Sequence, residues 1–140
     1  MDYFQRTDPW IFLAIARETE GEWVSLEDLI RVADYINHAI PSHEEIEGAV
    51  NRFLAAGFVR VDVDKFCLTS AGAALYRRVR EKSNNMLKQW EIMAEHIKEI
   101  EFEKVDVTWW KLDPDEKEKA YQQYSKKFWG KTRGVENREE

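Results

Sequence analysis

The chain has 140 residues, of which 44% are hydrophobic and 13% aromatic, and its formal net charge is −6. These proportions predict a folded protein with one core, and the negative charge gives no general attraction to nucleic acid or anionic membranes. A single cysteine, no signal-peptide pattern and no long apolar stretch together predict a cytoplasmic protein without a disulfide or a membrane partner.

The first part of the chain predicts two helices joined by a short strand. Asp8-Pro9 is a typical helix start, with a capping carboxylate followed by proline at the first helical position. Gly21 ends this helix, Trp23-Val24 is the predicted strand, and Ser25 caps the second helix. Ile40-Pro41 ends the second helix because the residue before a proline disfavours helical backbone.

The next segment predicts a third helix followed by a β-hairpin. Ser42 and Glu45 have the spacing of a capping box, and Gly57 stands where a helix C-terminus needs positive φ. Phe58–Asp62 and Phe66–Thr69 are rich in valine and phenylalanine, which favours strands. The predicted order is therefore helix, short strand, helix, helix, strand, strand.

Two phrases in this segment carry a resemblance to a known family. Phe53–Val59 has the sequence FLAAGFV and Phe66–Gly72 has the sequence FCLTSAG. They resemble bacterial winged-helix regulators of the MarR and PadR kind, in which leucine and glycine precede the first wing strand and a Leu-Thr-x-x-Gly phrase closes the second. The resemblance implies a winged helix-turn-helix domain over residues 1–72, with the third helix as recognition helix and the hairpin as wing. It also implies a homodimeric transcription regulator that binds double-stranded DNA.

The residues after this domain predict one long helix from Ala71 to about Ile100, because the stretch contains no proline. Its later apolar residues recur at spacings of four and three, as in a coiled-coil seam. We therefore predict that a homodimer interface is formed by Met86, Trp90, Met93, Ile97 and Ile100. The alternative is that this stripe packs within the chain, against the C-terminal segment.

The C-terminal part, residues 73–130, adds an aromatic helix to the long one. Glu101–Leu112 is either an extended linker or a short strand. Asp113-Pro114 starts the last helix, which carries aromatic residues on one face and is predicted to end at Gly130. Residues 131–140 are predicted to be a flexible charged tail. The predicted fold class is mainly α with a small β-hairpin.

Five polar residues are the candidates for DNA contact. Asn51 and Arg52 lie on the predicted exposed face of the third helix, and their side chains can hydrogen-bond adenine and guanine edges in a major groove. Phosphate contacts are expected from His43, Arg60 and Lys65.

The same helix supports a second function. It carries Glu44, Glu45 and Glu47 against the single Arg52, whereas duplex affinity needs several cations to neutralise phosphates. The alternative is therefore a winged helix that acts as a protein-interaction module. Its acidic recognition helix would meet a basic partner protein and would not bind DNA.

The sequence does not predict catalysis. His38, His43 and His96 lack the spacing of metal ligands. Cys67 lies in a predicted core strand without a histidine partner, and no glycine-rich phosphate loop is present. We therefore expect no enzyme activity, no metal and no cofactor.

Overall fold

The structure is a computed structural model that describes residues 2–18, 22–104 and 109–139, with side chains described except at 17, 18 and 128–139. It is mainly helical with a small antiparallel sheet, as predicted. Its helices are α1 (Asp8–Glu18), α2 (Leu26–Asn37), α3 (His43–Ala56), α4 (Ser70–Lys82), α5 (Met86–Ile97) and α6 (Pro114–Glu139). Its strands are β1 (Asp2–Tyr3), β2 (Val24–Ser25), β3 (Val59–Asp62), β4 (Lys65–Leu68) and β5 (Glu101–Phe102).

Local capping signals set ends of α2 and α3, whereas Gly21, the predicted end of the first helix, lies outside the described residues. The Ser25 hydroxyl accepts a hydrogen bond from the backbone N–H of Asp28 at the start of α2. Ser42 and Glu45 form the predicted capping box on α3, and Gly57 ends that helix with φ of 81°. These short-range hydrogen bonds satisfy helix ends without help from tertiary contacts, which is why the sequence predicts them well.

The three strands β2, β4 and β3 form one antiparallel sheet in that spatial order. Phe66 on β4 stands opposite Val24 on one side and Val61 on the other. The hairpin turns at Val63, which adopts a positive φ of 56°. Gly72 in the first turn of α4 is required by close packing, because a Cβ there would collide with the carbonyl oxygen of Phe58.

Helix α1 lies at the centre of the core. Its residues from Trp10 to Ala16 are all buried, and it packs against both α2 and α3. The rings of Phe12 and Phe53 lie 5.1 Å apart between α1 and α3. A second small sheet, which was not predicted, pairs Tyr3 with Glu101 next to this core.

The prediction of one long helix over Ala71–Ile100 is wrong, because the chain breaks between α4 and α5. Ser83 is extended, with φ −165° and ψ 144°, and Asn85 caps α5 by accepting the backbone N–H of Lys88. Gln89 fixes the break by donating to the carbonyl oxygen of Ser83 at 2.7 Å. Serine and asparagine side chains compete for backbone hydrogen bonds and so favour caps over helix interiors.

The stripe predicted as a dimer seam packs within the chain instead. Met93 and Ile97 are buried in the core of the chain itself, and Met86, Trp90 and Ile100 pack against that core. The ring of Trp90 stacks on Trp10 at 5.7 Å, and its indole N–H donates to the carbonyl oxygen of Arg6 at 3.0 Å. Two of the five residues thus belong to the chain's own core, and the other three stay partly exposed.

Helix α6 returns across α2. The phenol of Tyr124 donates to the Asp34 carboxylate at 2.6 Å, and the ammonium of Lys127 lies 2.8 Å from the carboxylate of Glu27. The predicted start at Asp113-Pro114 is confirmed. The predicted end at Gly130 is wrong, since the helix continues to Glu139; one interior glycine costs a helix only about 1 kcal/mol.

The packing of α5 predicts the effect of truncating Trp90. We expect Trp90→Ala to lower the free energy of unfolding by about 3 kcal/mol, because it removes a ring stacked within the core, and to leave the molar mass unchanged. Leu87→Ala, at an exposed position on the same helix, is the control and should change stability by no more than about 0.5 kcal/mol. Urea unfolding and light scattering measure both quantities. A lower molar mass of Trp90→Ala with unchanged stability would instead support the predicted dimer interface.

The contact between α6 and α2 predicts a dependence of stability on alkaline pH. Burial and the hydrogen bond to Asp34 raise the pKa of Tyr124 from 10.0 to about 12. The stabilisation that the neutral phenol of Tyr124 contributes is therefore complete below about pH 10 and is lost as the pH rises to about 12. Urea unfolding from pH 9 to 12 should show a shallower loss of stability for Tyr124→Phe than for the wild type. Tyr121→Phe, on the same helix, is the matched control, and a Tyr124→Phe profile equal to the control's would contradict the prediction.

Candidate interaction site on helix α3

Helix α3 is covered by a segment from the C-terminal part of the chain. We call this segment, Trp109–Leu112, the strap. Two of its residues, Trp110 and Leu112, are buried against α3 and the β3–β4 hairpin. The strap therefore occupies the face of α3 that was predicted to be exposed.

Asn51 holds the strap through its backbone. Its amide nitrogen donates to the carbonyl oxygen of Trp110 at 2.8 Å, and its amide oxygen accepts the N–H of Trp110 at 3.1 Å. The same amide nitrogen also donates to the Glu47 carbonyl oxygen one turn earlier, at 3.0 Å. Asn51 is 2% exposed, so its prediction as an exposed position is wrong. Helical periodicity reports only on α3 itself, whereas Asn51 is covered by a segment 59 residues away.

Glu47 makes a second backbone contact with the strap. Its carboxylate accepts the N–H of Leu112 at 2.7 Å and lies 3.2 Å from the imidazole Nε2 of His43. His43, a predicted phosphate contact, is thus paired with an acidic residue on its own helix. A carboxylate that orients both a backbone N–H and an imidazole acts as part of the packing, not as a free acidic surface.

The side chain of Trp110 fills the space between α3 and the hairpin. Its indole N–H donates to the carbonyl oxygen of Val63 in the hairpin turn at 2.7 Å. Its ring meets the ring of Phe66 edge-on, with centroids 5.3 Å apart and an interplanar angle of 81°. Burying such a ring removes a large apolar area from water, and the partner for its N–H makes that burial favourable.

Arg52, the second predicted base contact, is committed to an ion pair inside the protein. Its guanidinium binds Asp8 through two hydrogen bonds, of 2.6 and 2.8 Å. Asp8 is fully buried and also accepts the backbone N–H of Gln5. Gly48 leaves room for this pair, since a Cβ there would lie 2.9 Å from a guanidinium nitrogen. The charge of Arg52 is therefore neutralised by a partner from α1.

The five predicted DNA contacts lie in different surroundings. His43 is paired with Glu47, Asn51 binds the strap, and Arg52 faces α1. Arg60 and Lys65 lie on the hairpin, where the Arg60 guanidinium sits 5.4 Å from the ring centroid of Trp23. The set consequently does not follow a groove along α3.

Four residues that build this site were not predicted as site residues. Asp8 was predicted only as a helix cap, Glu47 only as part of an acidic face, and Trp110 and Leu112 only as parts of an extended linker or a short strand. The available signal was the adjacent pair of tryptophans in a segment with little other structure. Large aromatic rings in such a segment indicate that it is anchored to a core.

An open apolar groove continues from the strap along the hairpin. It has a volume of about 550 Å³ and is lined by Leu54, Val61, Val63, Trp109 and Trp110. Val63 and Trp109 are the exposed large side chains on its rim. Exposed apolar patches of this kind are typical of protein-binding surfaces.

No protein family, curated protein or solved structure matches this chain. In the parts of the chain that the structure describes, no three His, Cys, Asp or Glu side chains come together as a metal site requires. None of the described helices combines the length and apolar character needed to cross a membrane. The function therefore has to follow from the chain's own geometry.

The ion pair between α1 and α3 predicts a large effect of removing its buried partner. Asp8→Ala should lower the free energy of unfolding by about 3 kcal/mol, because it leaves the Arg52 guanidinium mostly buried and unpaired. Asp28→Ala breaks an exposed ion pair with Arg31 on α2 and, as control, should cost at most about 1 kcal/mol. Urea unfolding at neutral pH measures both. Equal losses for the two variants would show that the buried pair has no special role.

Proposed function

We propose that this chain is a winged-helix protein-interaction module that holds polypeptide, not duplex DNA, between α3 and the β3–β4 hairpin. The order helix, strand, helix, helix, strand, strand over residues 8–68 supports the winged-helix assignment. The sheet order β2-β4-β3, with the short strand paired to the hairpin, supports it further. The chain has one cysteine, Cys67, which is buried, so it forms no intrachain disulfide, and this supports a reducing, cytoplasmic location.

The observation that carries the proposal is the pair of hydrogen bonds that joins the Asn51 amide to the backbone N–H and the backbone carbonyl oxygen of Trp110. A helix that enters a major groove presents such an amide to an adenine edge, with one donor and one acceptor. In this chain both groups are bound to the backbone of residue 110 instead. The recognition helix thus has polypeptide where DNA would lie.

Charge supports the same proposal. Duplex binding gains most of its affinity from cations that displace counterions at phosphates. Arg52 is neutralised by Asp8, while the exposed Glu44 stands at the leading end of α3. An approaching phosphate backbone would meet repulsion at the place where a helix N-terminus usually attracts it.

The rival function is the DNA-binding, homodimeric regulator that the resemblance implies. It requires the strap to leave α3 and Arg52 to leave Asp8. A dimer through the α5 stripe would use only Met86, Trp90 and Ile100, because Met93 and Ile97 are buried in the chain. The described contacts favour the interaction module.

A duplex titration separates these two functions. Fluorescence anisotropy of a labelled mixed-sequence duplex should show no binding by the wild-type chain at low salt, and Trp110→Ala, which weakens the strap, should also show none. A DNA-binding module with a masked helix would instead bind the duplex once Trp110 is removed. Micromolar binding that falls steeply with rising salt, for either protein, would contradict the proposed function.

A further inference from the structure

We propose that the strap is a ligand held in cis, and that the cleft beneath it binds in trans an extended partner segment carrying tryptophan followed two residues later by leucine. The cleft is the space bounded by Glu47, Asn51, Val63 and Phe66. This inference rests on the proposed function and names the chemistry of the partner. We infer the residues that the cleft accepts in a partner from the residues of the chain's own strap.

The aromatic end of the cleft selects tryptophan over other rings. Phe66 presents its ring to an aromatic neighbour, and the carbonyl oxygen of Val63 accepts the indole N–H at 2.7 Å. A phenylalanine in this place has no N–H, so the carbonyl oxygen of Val63 would lose this hydrogen bond. Sites built to receive a hydrogen bond discriminate strongly against analogues that lack the donor.

The backbone contacts select an extended peptide of any sequence. Asn51 binds both polar groups of residue 110, and Glu47 accepts the N–H of residue 112. N–H groups two residues apart that face the same side are typical of an extended chain. The peptide register is fixed by these three bonds, so the tryptophan and the leucine are the positions that carry specificity.

The second anchor is the leucine two residues after the tryptophan. Leu112 is buried beside the strap's hydrogen bonds, whereas the intervening Lys111 is exposed. The residue between the anchors is thus free to vary.

The strap competes with a trans ligand because it is tethered to the same chain. A tethered segment has an effective concentration in the millimolar range for short flexible connections. The apparent affinity for a partner equals the affinity of the open cleft multiplied by the fraction of molecules in which the cleft is open. The open groove beside Trp109 gives a partner segment a place to bind before it displaces the strap.

Complementation by a peptide tests this inference. The probe is a fluorescently labelled peptide, Trp-Trp-Lys-Leu-Asp-Pro, which copies residues 109–114. The full-length Trp110→Ala protein, whose cleft is vacated by its own ring, should bind the probe at least about tenfold more tightly than the wild type. Lys111→Ala, which changes an exposed strap side chain, is the matched control and should bind as the wild type does. A probe with its second tryptophan replaced by alanine should not bind Trp110→Ala.

Two further variants test whether misfolding could explain the result. Trp110→Phe keeps the ring in the cleft and removes only the indole donor, so it should bind the probe more tightly than the wild type but less tightly than Trp110→Ala. Trp110→Ala combined with Asn51→Ala should lose the probe while it keeps the circular dichroism spectrum of Trp110→Ala. Thermal unfolding confirms that each variant is folded, and bound probe should raise the Tm of Trp110→Ala.

The inference is overturned if folded Trp110→Ala and Trp110→Phe bind the probe no better than the wild type. It is also overturned if probe binding survives Asn51→Ala, or if the cleft of Trp110→Ala is filled only by a second copy, as a dimer that excludes the probe. These outcomes leave the proposed function standing, because that proposal depends on the duplex titration. Duplex binding would remove the proposed function whatever the probe does.

Discussion

The pair of hydrogen bonds between the Asn51 amide and the backbone N–H and carbonyl oxygen of Trp110 is the constraint on which the rest of the structure depends. A buried amide without partners costs roughly 1–3 kcal/mol for each unmet group, so the bound strap stabilises α3 by removing that cost. Once Trp110 is fixed in this way, its ring must lie against Phe66 and its indole N–H must meet the hairpin turn. The chain continues from the strap into α6, which starts at Pro114 and packs along α2.

This constraint determines what α3 can offer to another molecule. The polar side chains of a recognition helix normally point into solvent until a ligand arrives. Here Asn51, Arg52 and Glu47 all have partners from elsewhere in the chain. A partner that displaces the strap must replace the hydrogen bonds that the strap makes with Asn51 and Glu47. A peptide does so more readily than a phosphate backbone. Peptide units supply both donors and acceptors, whereas phosphates supply acceptors only.

The sequence predicts the parts of this fold that short-range chemistry decides. The capping box at Ser42, the glycine stop at Gly57 and the hairpin follow from residues within a few positions of one another. The break at Ser83 was missed because the apolar spacing on its two sides continues as if one helix ran through it. The strap was missed for a deeper reason. Asn51 binds backbone groups, which every residue has, so no pattern of side chains in residues 109–112 identifies them as its partners.

Tethering a ligand to its own cleft also changes how selective the cleft is. An open cleft would accept any apolar segment with some gain, because burial of apolar surface is not directional. A cleft that already holds tryptophan and leucine is opened only by a segment that regains the bond to Val63 and the bonds to Asn51. Weak apolar competitors cannot offset the loss of these bonds. The strap therefore raises the affinity that a competitor needs in order to bind, without any steric clash. In the proposed function, the bonds that occupy Asn51 in place of DNA are the same bonds that would make the cleft selective for one kind of peptide.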